Sequence, residues 1–364
     1  MTYRVIGIMS GSSLDGLDIA FIEFNESGGK WAYEILHAAC LPYSDEWVQK
    51  LASATSLSAY EYLLLHAAYG KYIGERVNEF IGQYALEHRV QLISSHGHTT
   101  FHAPELGMTA QLGDGAAIAA ATQINVVSDL RALDVAFGGQ GAPIVPIGEK
   151  LLLPEYDFYL NLGGIANIAY MTEAGYVAYD ICPANRVLNM IIEKEGQKFD
   201  EGGRLAASGN IDHGLLSRLK AFAYYDKPYP KSLANDFGTT EIFPLIESTK
   251  RAPADALRTY VEHIAMQVVS SIQKDTNLPA GPGKLLVTGG GGFNHFLIQR
   301  LSQLLSAINI EVVLPDEMLI NYKEALVMGL IGVLRWREEY NVISTVTGAK
   351  RASIGGAVWI GQEG

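Results

Sequence analysis

Three glycine-rich stretches follow apolar runs in this chain, and two of them open matching halves of a repeated order of elements. The first is Gly7-Ile8-Met9-Ser10-Gly11-Ser12-Ser13-Leu14-Asp15-Gly16-Leu17-Asp18, the second Asn161-Leu162-Gly163-Gly164-Ile165-Ala166-Asn167, and the third Thr288-Gly289-Gly290-Gly291-Gly292-Phe293-Asn294. The first half reads as strands over Tyr3–Met9, Leu17–Phe24 and Trp31–Cys40. A long helix carries Leu65, Tyr69, Ile73, Val77, Phe80 and Tyr84 on one face. Ser58 and Glu61 have the spacing of a capping box at its start. A strand at Gln91–Ser95, a helix at Gly115–Thr122 and a strand at Asn125–Asp129 follow. The order then restarts with strands at Tyr156–Leu162, Ile165–Met171 and Val177–Ile181, and helices at Ala184–Glu195 and Asp255–Lys274. A strand at Lys284–Thr288, a helix at Asn294–Leu305, a strand at Ile310–Leu314 and a helix at Tyr322–Glu338 complete it. Such a repeat predicts a duplicated α/β domain with a cleft between two lobes.

A single glycine cluster is an ordinary tight turn. Two hairpin-turn clusters at equivalent points, plus a strand–Gly₄–helix, form a pattern that chance does not readily supply. Small residues let backbone N–H groups approach an anion. Ser10, Ser12 and Ser13 add hydroxyl donors, and Asp15 and Asp18 can hold Mg²⁺ through water. The third cluster lets a flat group such as adenine lie against the backbone. None of the three is a G-x-x-x-x-G-K-[ST] loop, nor a G-x-G-x-x-G between a strand and a helix.

Composition limits the partners. The chain has 364 residues with Lys+Arg 27 against Asp+Glu 39, a formal net charge of −12, and 38 glycines. That balance speaks against nucleic acid, which demands clustered positive charge. It leaves phosphate ligands open, because backbone amides and a metal can hold them. Met1–Met9 has no signal-peptide pattern and no apolar run has the length of a membrane span. Cys40 and Cys182 stand far apart, as expected of a chain in the reducing cytoplasm.

The clusters in this order resemble the acetate and sugar kinase, actin and heat-shock chaperone ATPase superfamily. Within it the closer likeness is to the anhydro-N-acetylmuramic acid kinase family. Residues 7–16 are similar to its G-x-M-S-G-T-S-x-D-G opening, and Ser95-His96-Gly97-His98-Thr99 to its S-H-G-Q-T. Gly138-Gly139-Gln140-Gly141-Ala142-Pro143, residues 161–167, residues 288–294 and Glu324-Ala325 match further blocks. The likeness runs from residue 4 to about residue 335.

The resemblance implies two ribonuclease H-like domains in an actin-like ATPase fold. Residues 1–130 with about 345–364 would form the N-terminal lobe, and 131–344 the C-terminal lobe. It implies an ATP- and Mg²⁺-dependent phosphotransferase that hydrolytically opens a 1,6-anhydro amino sugar of the cell wall and phosphorylates its 6-oxygen, in peptidoglycan recycling. Asp180 would be the base. Gly11, Ser12, Ser13, Asp15, Gly16, Gly163, Gly164, Gly289, Gly290, Gly291 and Asn294 would hold nucleotide and phosphate, Asp15 also meeting Mg²⁺ through water. His96, His98, Arg131, Asp134, Asn185 and Glu324 would bind the sugar. The expected partners are ATP and an amino sugar, without nucleic acid or membrane, in a possible homodimer.

The chain departs from the family pattern in places. Ile181, Cys182 and Ala184 replace Thr and two glycines of D-T-G-P-G-N, Arg131 alone remains of a basic stretch, and Pro230-Lys231-Ser232 continues with Leu233-Ala234-Asn235 instead of T-G-R-E. A different amino sugar or anhydro-sugar is therefore an alternative substrate. His96, His98 and His102 with Asp114 or Asp129 offer a metal-dependent hydrolase as a second reading, which stoichiometric zinc would favour. A non-catalytic ATP switch is a third, which ATP binding without sugar-stimulated turnover would favour.

Overall fold

The computed structural model describes residues 1–11, 13–229, 231–234, 236–275 and 281–362. By its contacts the chain divides into Met1–Pro154 with Tyr322–Gly364, and Glu155–Asn321. Residues 131–154 and 322–344 thus group with the first unit, whereas the sequence reading drew them into the second lobe. The close packing of the last long helix on the first sheet accounts for residues 322–344, and the bonds of Asp134 to Thr347 and of Glu149 to Lys323 draw residues 131–154 with them.

In the first unit β1 (Thr2–Ser10), β2 (Gly16–Ser27) and β3 (Lys30–Pro42) form an antiparallel meander. α1 (Asp45–Ala52) and α2 (Ala59–Gln83) follow. The capping box at Ser58 and Glu61 forms as expected: the Glu61 N–H donates to Ser58 Oγ and the Ser58 N–H to Glu61 Oε2. The α2 face of Leu65, Tyr69, Ile73, Val77 and Phe80 is buried with Ile6, Ile8, Ile19 and Phe21 of the sheet. β4 (Leu92–Ala103) lies parallel to β1, and β5 (Met108–Leu112) pairs antiparallel with β4. α3 (Gly115–Thr122), β6 (Val126–Ser128) parallel to β4, α4 (Ala132–Ala136) and α5 (Pro146–Leu152) complete this stretch.

In the second unit β7 (Phe158–Leu162), β8 (Ile165–Thr172) and β9 (Gly175–Pro183) again form an antiparallel meander. α6 (Asn185–Glu193), α7 (Arg204–Ser208), α8 (His213–Lys220), α9 (Phe243–Ser248) and α10 (Pro253–Asp275) follow. β10 (Gly283–Thr288) is parallel to β7, and after α11 (His295–Ser306) β11 (Ile310–Val313) is parallel to β10. Tyr260, Val261, Ile264 and Val268 of α10 share the core with Leu160, Ile168 and Tyr170 of the sheet. α12 (Glu317–Trp336) has a non-helical residue, Tyr322, where the chain re-enters the first unit. α13 (Ser344–Thr347) and β12 (Ala357–Trp359), antiparallel to β6, end the fold.

The two sheets run β12-β6-β4-β1-β2-β3 and β11-β10-β7-β8-β9. Counted within each unit, three meander strands in the order third, second, first are followed by a parallel fourth and a parallel fifth, β5 apart. This is the ribonuclease H-like order, and the chain carries it twice.

Glycine sets how closely α12 meets the first sheet. A Cβ on Gly7 would lie 2.0 Å from the Ala325 carbonyl oxygen and 2.8 Å from the Gly329 nitrogen. Among the described residues no helix is long and apolar enough to cross a membrane.

Candidate active-site residues

In each sheet the carboxyl ends of the parallel strands collect the polar residues, which is where ligands bind in open α/β sheets. In the first unit β1 ends at Ser10, beside His98 of β4 in the parallel register, and the residues after β6 lead to Asp129 and Arg131.

The β1–β2 turn carries the first glycine cluster. Ser13 Oγ donates to Asp15 Oδ1 at 2.6 Å and the Gly16 N–H to the same oxygen at 3.1 Å. Gly11 stays open apart from the Ser13 hydroxyl, whereas Gly16 is enclosed: its Cβ would lie 2.7 Å from Cys40 Sγ. Ser12 lies outside the described residues. Asp18, two residues further, is largely buried and bonded to the Cys40 thiol. Burial, with Asp15 and Glu324 nearby, pushes its carboxyl from 3.8 up to about 6.

His96 has both ring nitrogens engaged. Nδ1 meets the Gly97 carbonyl at 2.9 Å, and Nε2 meets Nε of Arg131 at 2.7 Å. A carbonyl only accepts and a guanidinium only donates, so His96 is the neutral Nδ1–H tautomer. Burial and the Arg131 charge take its pKa down to about 3. Arg131 also donates from Nη1 to the Gly141 carbonyl at 2.7 Å. Burial lowers Arg131 to about 10, against the opposing charge of Glu324, while burial raises Glu324. Beside Glu324, Lys323 donates to Glu149 at 2.9 Å in a buried ion pair.

Asp134 has no exposed surface. Its Oδ2 accepts from the Gly141 N–H and its Oδ1 from Thr347 Oγ1, both at 2.8 Å. In this structure its carboxylate ties the 138–141 loop to α13. A Cβ on Gly139 would lie 2.3 Å from that carboxylate, which explains a glycine there.

His98 is set differently from His96, and Gly97 turns between them with φ +72°. Its Nδ1 lies 3.0 Å from Ser10 Oγ, which accepts from Tyr43 Oη at 2.8 Å, and Tyr43 Oη lies 2.6 Å from Tyr69 Oη. His102 meets Thr109 Oγ1 at 3.1 Å on the exposed side of β4. Asp114 caps α3 by accepting from the Ala116 N–H. The three histidines thus turn to three different partners. Among the described residues no group of three or more His, Cys, Asp or Glu is placed to hold a metal ion.

In the second unit Asp180 stands at a β-bulge. Asn167 pairs with Asp180 and Ala166 with Cys182, leaving Ile181 unpaired. A bulge breaks the alternation of faces and re-aims a side chain, so Ile181 and Cys182 are both buried while Asp180 is only partly so. Its Oδ2 accepts from Ser232 Oγ at 3.0 Å and from the Leu233 N–H at 2.9 Å, and Tyr224 Oη donates to its backbone carbonyl at 2.7 Å. Burial raises its carboxyl above the ordinary 3.8, and those two hydrogen bonds oppose the rise. Lys231 lies over the rings of Tyr179 and Tyr224, at 5.3 and 5.0 Å from their centroids.

The second and third glycine clusters meet. The Ala184 N–H donates to the Gly164 carbonyl, the Asn185 N–H to the Gly163 carbonyl, and Asn185 Nδ2 to the Leu162 carbonyl at 2.9 Å. A Cβ on Gly289 would lie 2.5 Å from Asn161 Oδ1, and one on Gly291 2.6 Å from the Leu162 Cβ. Gly290 faces Asn185 at a longer distance. Asn294 caps α11 by accepting from the Leu297 N–H at 3.0 Å. The structure therefore brings Asp180, Gly163, Gly164, Asn185, Gly289, Gly290, Gly291 and Asn294 onto one connected set of loops in the second unit. Gly203 packs there too, its Cβ position 2.2 Å from Asn294 Oδ1. Sequence reasoning passed over Gly203, although the Glu201-Gly202-Gly203 turn was a visible signal. It also passed over Tyr43, which carries no motif, and gave Tyr69 only a place on the apolar face of the long helix.

Residues 3–361 match the family described as anhydro-N-acetylmuramic acid kinase. A protein of that name from Gloeobacter violaceus is 34% identical, covering 95% of this chain and 96% of its own. Another, from Synechococcus elongatus, is 33% identical over 98% and 99%. Among solved structures, the activator of the 2-hydroxyisocaproyl-CoA dehydratase from Clostridium difficile with bound ADPNP aligns at TM-score 0.43 and 12% identity, covering 92% of this chain and 96% of its own.

Proposed function

Since the chain belongs to the anhydro-N-acetylmuramic acid kinase family, we propose that it opens the 1,6-anhydro bridge of anhydro-N-acetylmuramic acid and phosphorylates the released oxygen. The observation that supports this most directly is the setting of Asp180. Its Oδ2 is held by Ser232 and Leu233. That leaves Oδ1 to take a proton from water as the water oxygen attacks the anomeric carbon. The bond from that carbon to the bridging 6-oxygen breaks. The 6-oxygen forms a bond to the γ-phosphorus of ATP, the bond to the β-phosphate oxygen breaks, and ADP leaves. The products are N-acetylmuramic acid 6-phosphate and ADP, with the proton passed from Asp180 to solvent.

The glycine turns supply backbone N–H groups for phosphate, at Gly11 and Ser13 in the first unit and at Gly163, Gly164 and Gly289–Gly291 in the second, while the Gly16 N–H is taken by Asp15 and shapes the first turn. Ser12 belongs to the first set by sequence. Asn294 and Asn185 hold the loops that meet nucleotide and sugar. Mg²⁺ accompanies ATP. Asp15 suits it: its Oδ1 is tied to Ser13 and Gly16, its side chain is exposed, and a single carboxylate fits an ion that keeps its waters and phosphate oxygens. When bound, the ion neutralises charge on the transferring phosphoryl group. Arg131 and Glu324, with His96 behind Arg131, and His98 are the sugar-side groups of the first unit, and Asp134 holds the loop that Arg131 contacts. Dependence on ATP supports a cytoplasmic location for the reaction.

ADP release against a panel of 1,6-anhydro and ordinary amino sugars tests this reading. Turnover with the anhydro-muramic substrate and a 6-phosphate product is expected. Stimulation only by ordinary reducing sugars would leave a general sugar kinase.

A further inference from the structure

Ser10, Tyr43, Tyr69 and His98 form one buried chain of hydroxyls ending on a ring nitrogen. Ser10, Tyr43, Tyr69 and His98 are 3, 8, 0 and 6% exposed. Proton counting fixes the tyrosine end of the chain, and one direction at the histidine end lets every proton find an acceptor. Tyr43 has one hydroxyl proton and gives it to Ser10 Oγ. The contact between Tyr43 and Tyr69 must then be donated by Tyr69. Ser10, accepting from Tyr43, has its own proton free for Nδ1 of His98 at 3.0 Å. Every hydroxyl then donates once and none competes. Nδ1 as acceptor leaves the ring proton on Nε2, the opposite tautomer to His96. Among the described residues no protein partner reaches Nε2 of His98, and that atom is not among the sealed, unpartnered ones. Burial lowers the ring's pKa, so it stays neutral.

We infer that Ser10, Tyr43 and Tyr69 are positioning residues: their relay holds His98 as the Nε2–H tautomer, so that this N–H is a fixed donor to an oxygen of the anhydro-sugar. The inference rests on the proposed function for the identity of that acceptor. His98 stands where the resembling S-H-G-Q-T motif has Gln, whose amide N–H is a donor without needing a tautomer set for it. The relay is thus what a histidine requires at this position and a glutamine does not.

The test has two independent arms on the full chain. In the first, ¹⁵N chemical shifts of the histidine rings are recorded, with the His98 signals assigned by their loss in His98→Gln. A protonated Nε2 and an unprotonated Nδ1 are expected, with mixed tautomers in Ser10→Ala. A protonated Nδ1 in the unaltered protein overturns the inference. This arm needs no substrate, so it stands even if the proposed sugar is wrong. In the second arm, Tyr43→Phe is expected to lower kcat/KM for the sugar on the order of tenfold, with KM for ATP unchanged. In the His98→Gln background the same substitution should change little. An equal loss in both backgrounds would make Tyr43 a packing residue only and overturn the relay. If His98→Gln is itself inactive, the shifts in Tyr43→Phe and Ser10→Ala decide: an unchanged tautomer overturns the inference, and a mixed one supports it.

Discussion

Arg131 gives its Nε–H to Nε2 of His96 and its Nη1–H to the Gly141 carbonyl, both at 2.7 Å. One guanidinium thereby joins β4 to the 138–141 loop, and that loop is fixed a second time by Asp134. A lysine cannot reproduce two diverging bonds from one planar head. Hydrogen bonds involving a charged group are worth about 1.5–3 kcal/mol. Arg131→Lys is therefore expected to lower kcat/KM for the sugar by roughly 10- to 100-fold, with KM for ATP unchanged. Steady-state kinetics with each substrate varied will show it. Unaltered sugar kinetics would mean that the Arg131 link has no part in catalysis.

Asp180→Asn preserves the shape of the side chain and its hydrogen-bond acceptor while removing the basic oxygen. A loss of about 10²- to 10⁴-fold in turnover is expected for loss of a general base, with ADP affinity retained in calorimetry. Burial raises the Asp180 carboxyl above 3.8, so the acid limb of kcat/KM should fall at a higher pH than an ordinary aspartate gives. The sign for stability runs the other way. A carboxyl with a raised folded pKa favours the folded state while protonated, and that contribution is lost as pH rises through the folded value. The Asn variant should therefore melt at or above the parent temperature at neutral pH. Retention of most activity would remove Asp180 from the base role.

Much of this was legible in the chain because local chemistry and the final fold agree. The capping box at Ser58 and Glu61 and the apolar stripe from Leu65 to Phe80 both formed. The repeated meander order predicted the duplicated sheets. Less visible were elements too short for a period, such as β5 and α7, and the early start of α12, where Tyr322 leaves the helical region. The candidate residues were legible by type but not by role. His96 and His98 stand two apart in the sequence and look alike, yet one is tied to Arg131 and the other to Ser10. What separates them is the positive φ of Gly97 and the long-range arrival of Arg131 and Tyr43, and no local pattern encodes either.

Asp18 should make stability depend on pH in a direction opposite to that of a salt-bridged carboxylate. Its carboxyl rises from 3.8 to about 6, chiefly by burial. Between those values the folded chain holds a proton that the unfolded chain has lost, so stability falls as pH rises from about 4 to 6. Asp18→Asn, which cannot ionise, should gain melting temperature over the parent at pH 8 and lose most of that gain at pH 4. Thermal melts at both values test it. An advantage that is the same at both would mean that the charge of Asp18 is not what burial penalises.

Two glycine substitutions in the first unit should act in opposite directions. At Gly7 an alanine Cβ would lie 2.0 Å from the Ala325 carbonyl oxygen and 2.8 Å from the Gly329 nitrogen, both backbone atoms of α12. Neither can rotate aside, so the helix must lift from β1, at a cost at or above the ~1–3 kcal/mol usual for overpacking. At Gly82, near the end of α2, the same Cβ meets nothing within 4 Å. Alanine there removes unfolded-state freedom and favours the helix by about 0.5–1 kcal/mol. Chemical denaturation should move the midpoint down for Gly7→Ala and up for Gly82→Ala. A Gly7→Ala protein as stable as the parent would show that α12 is not held against β1 at this spacing.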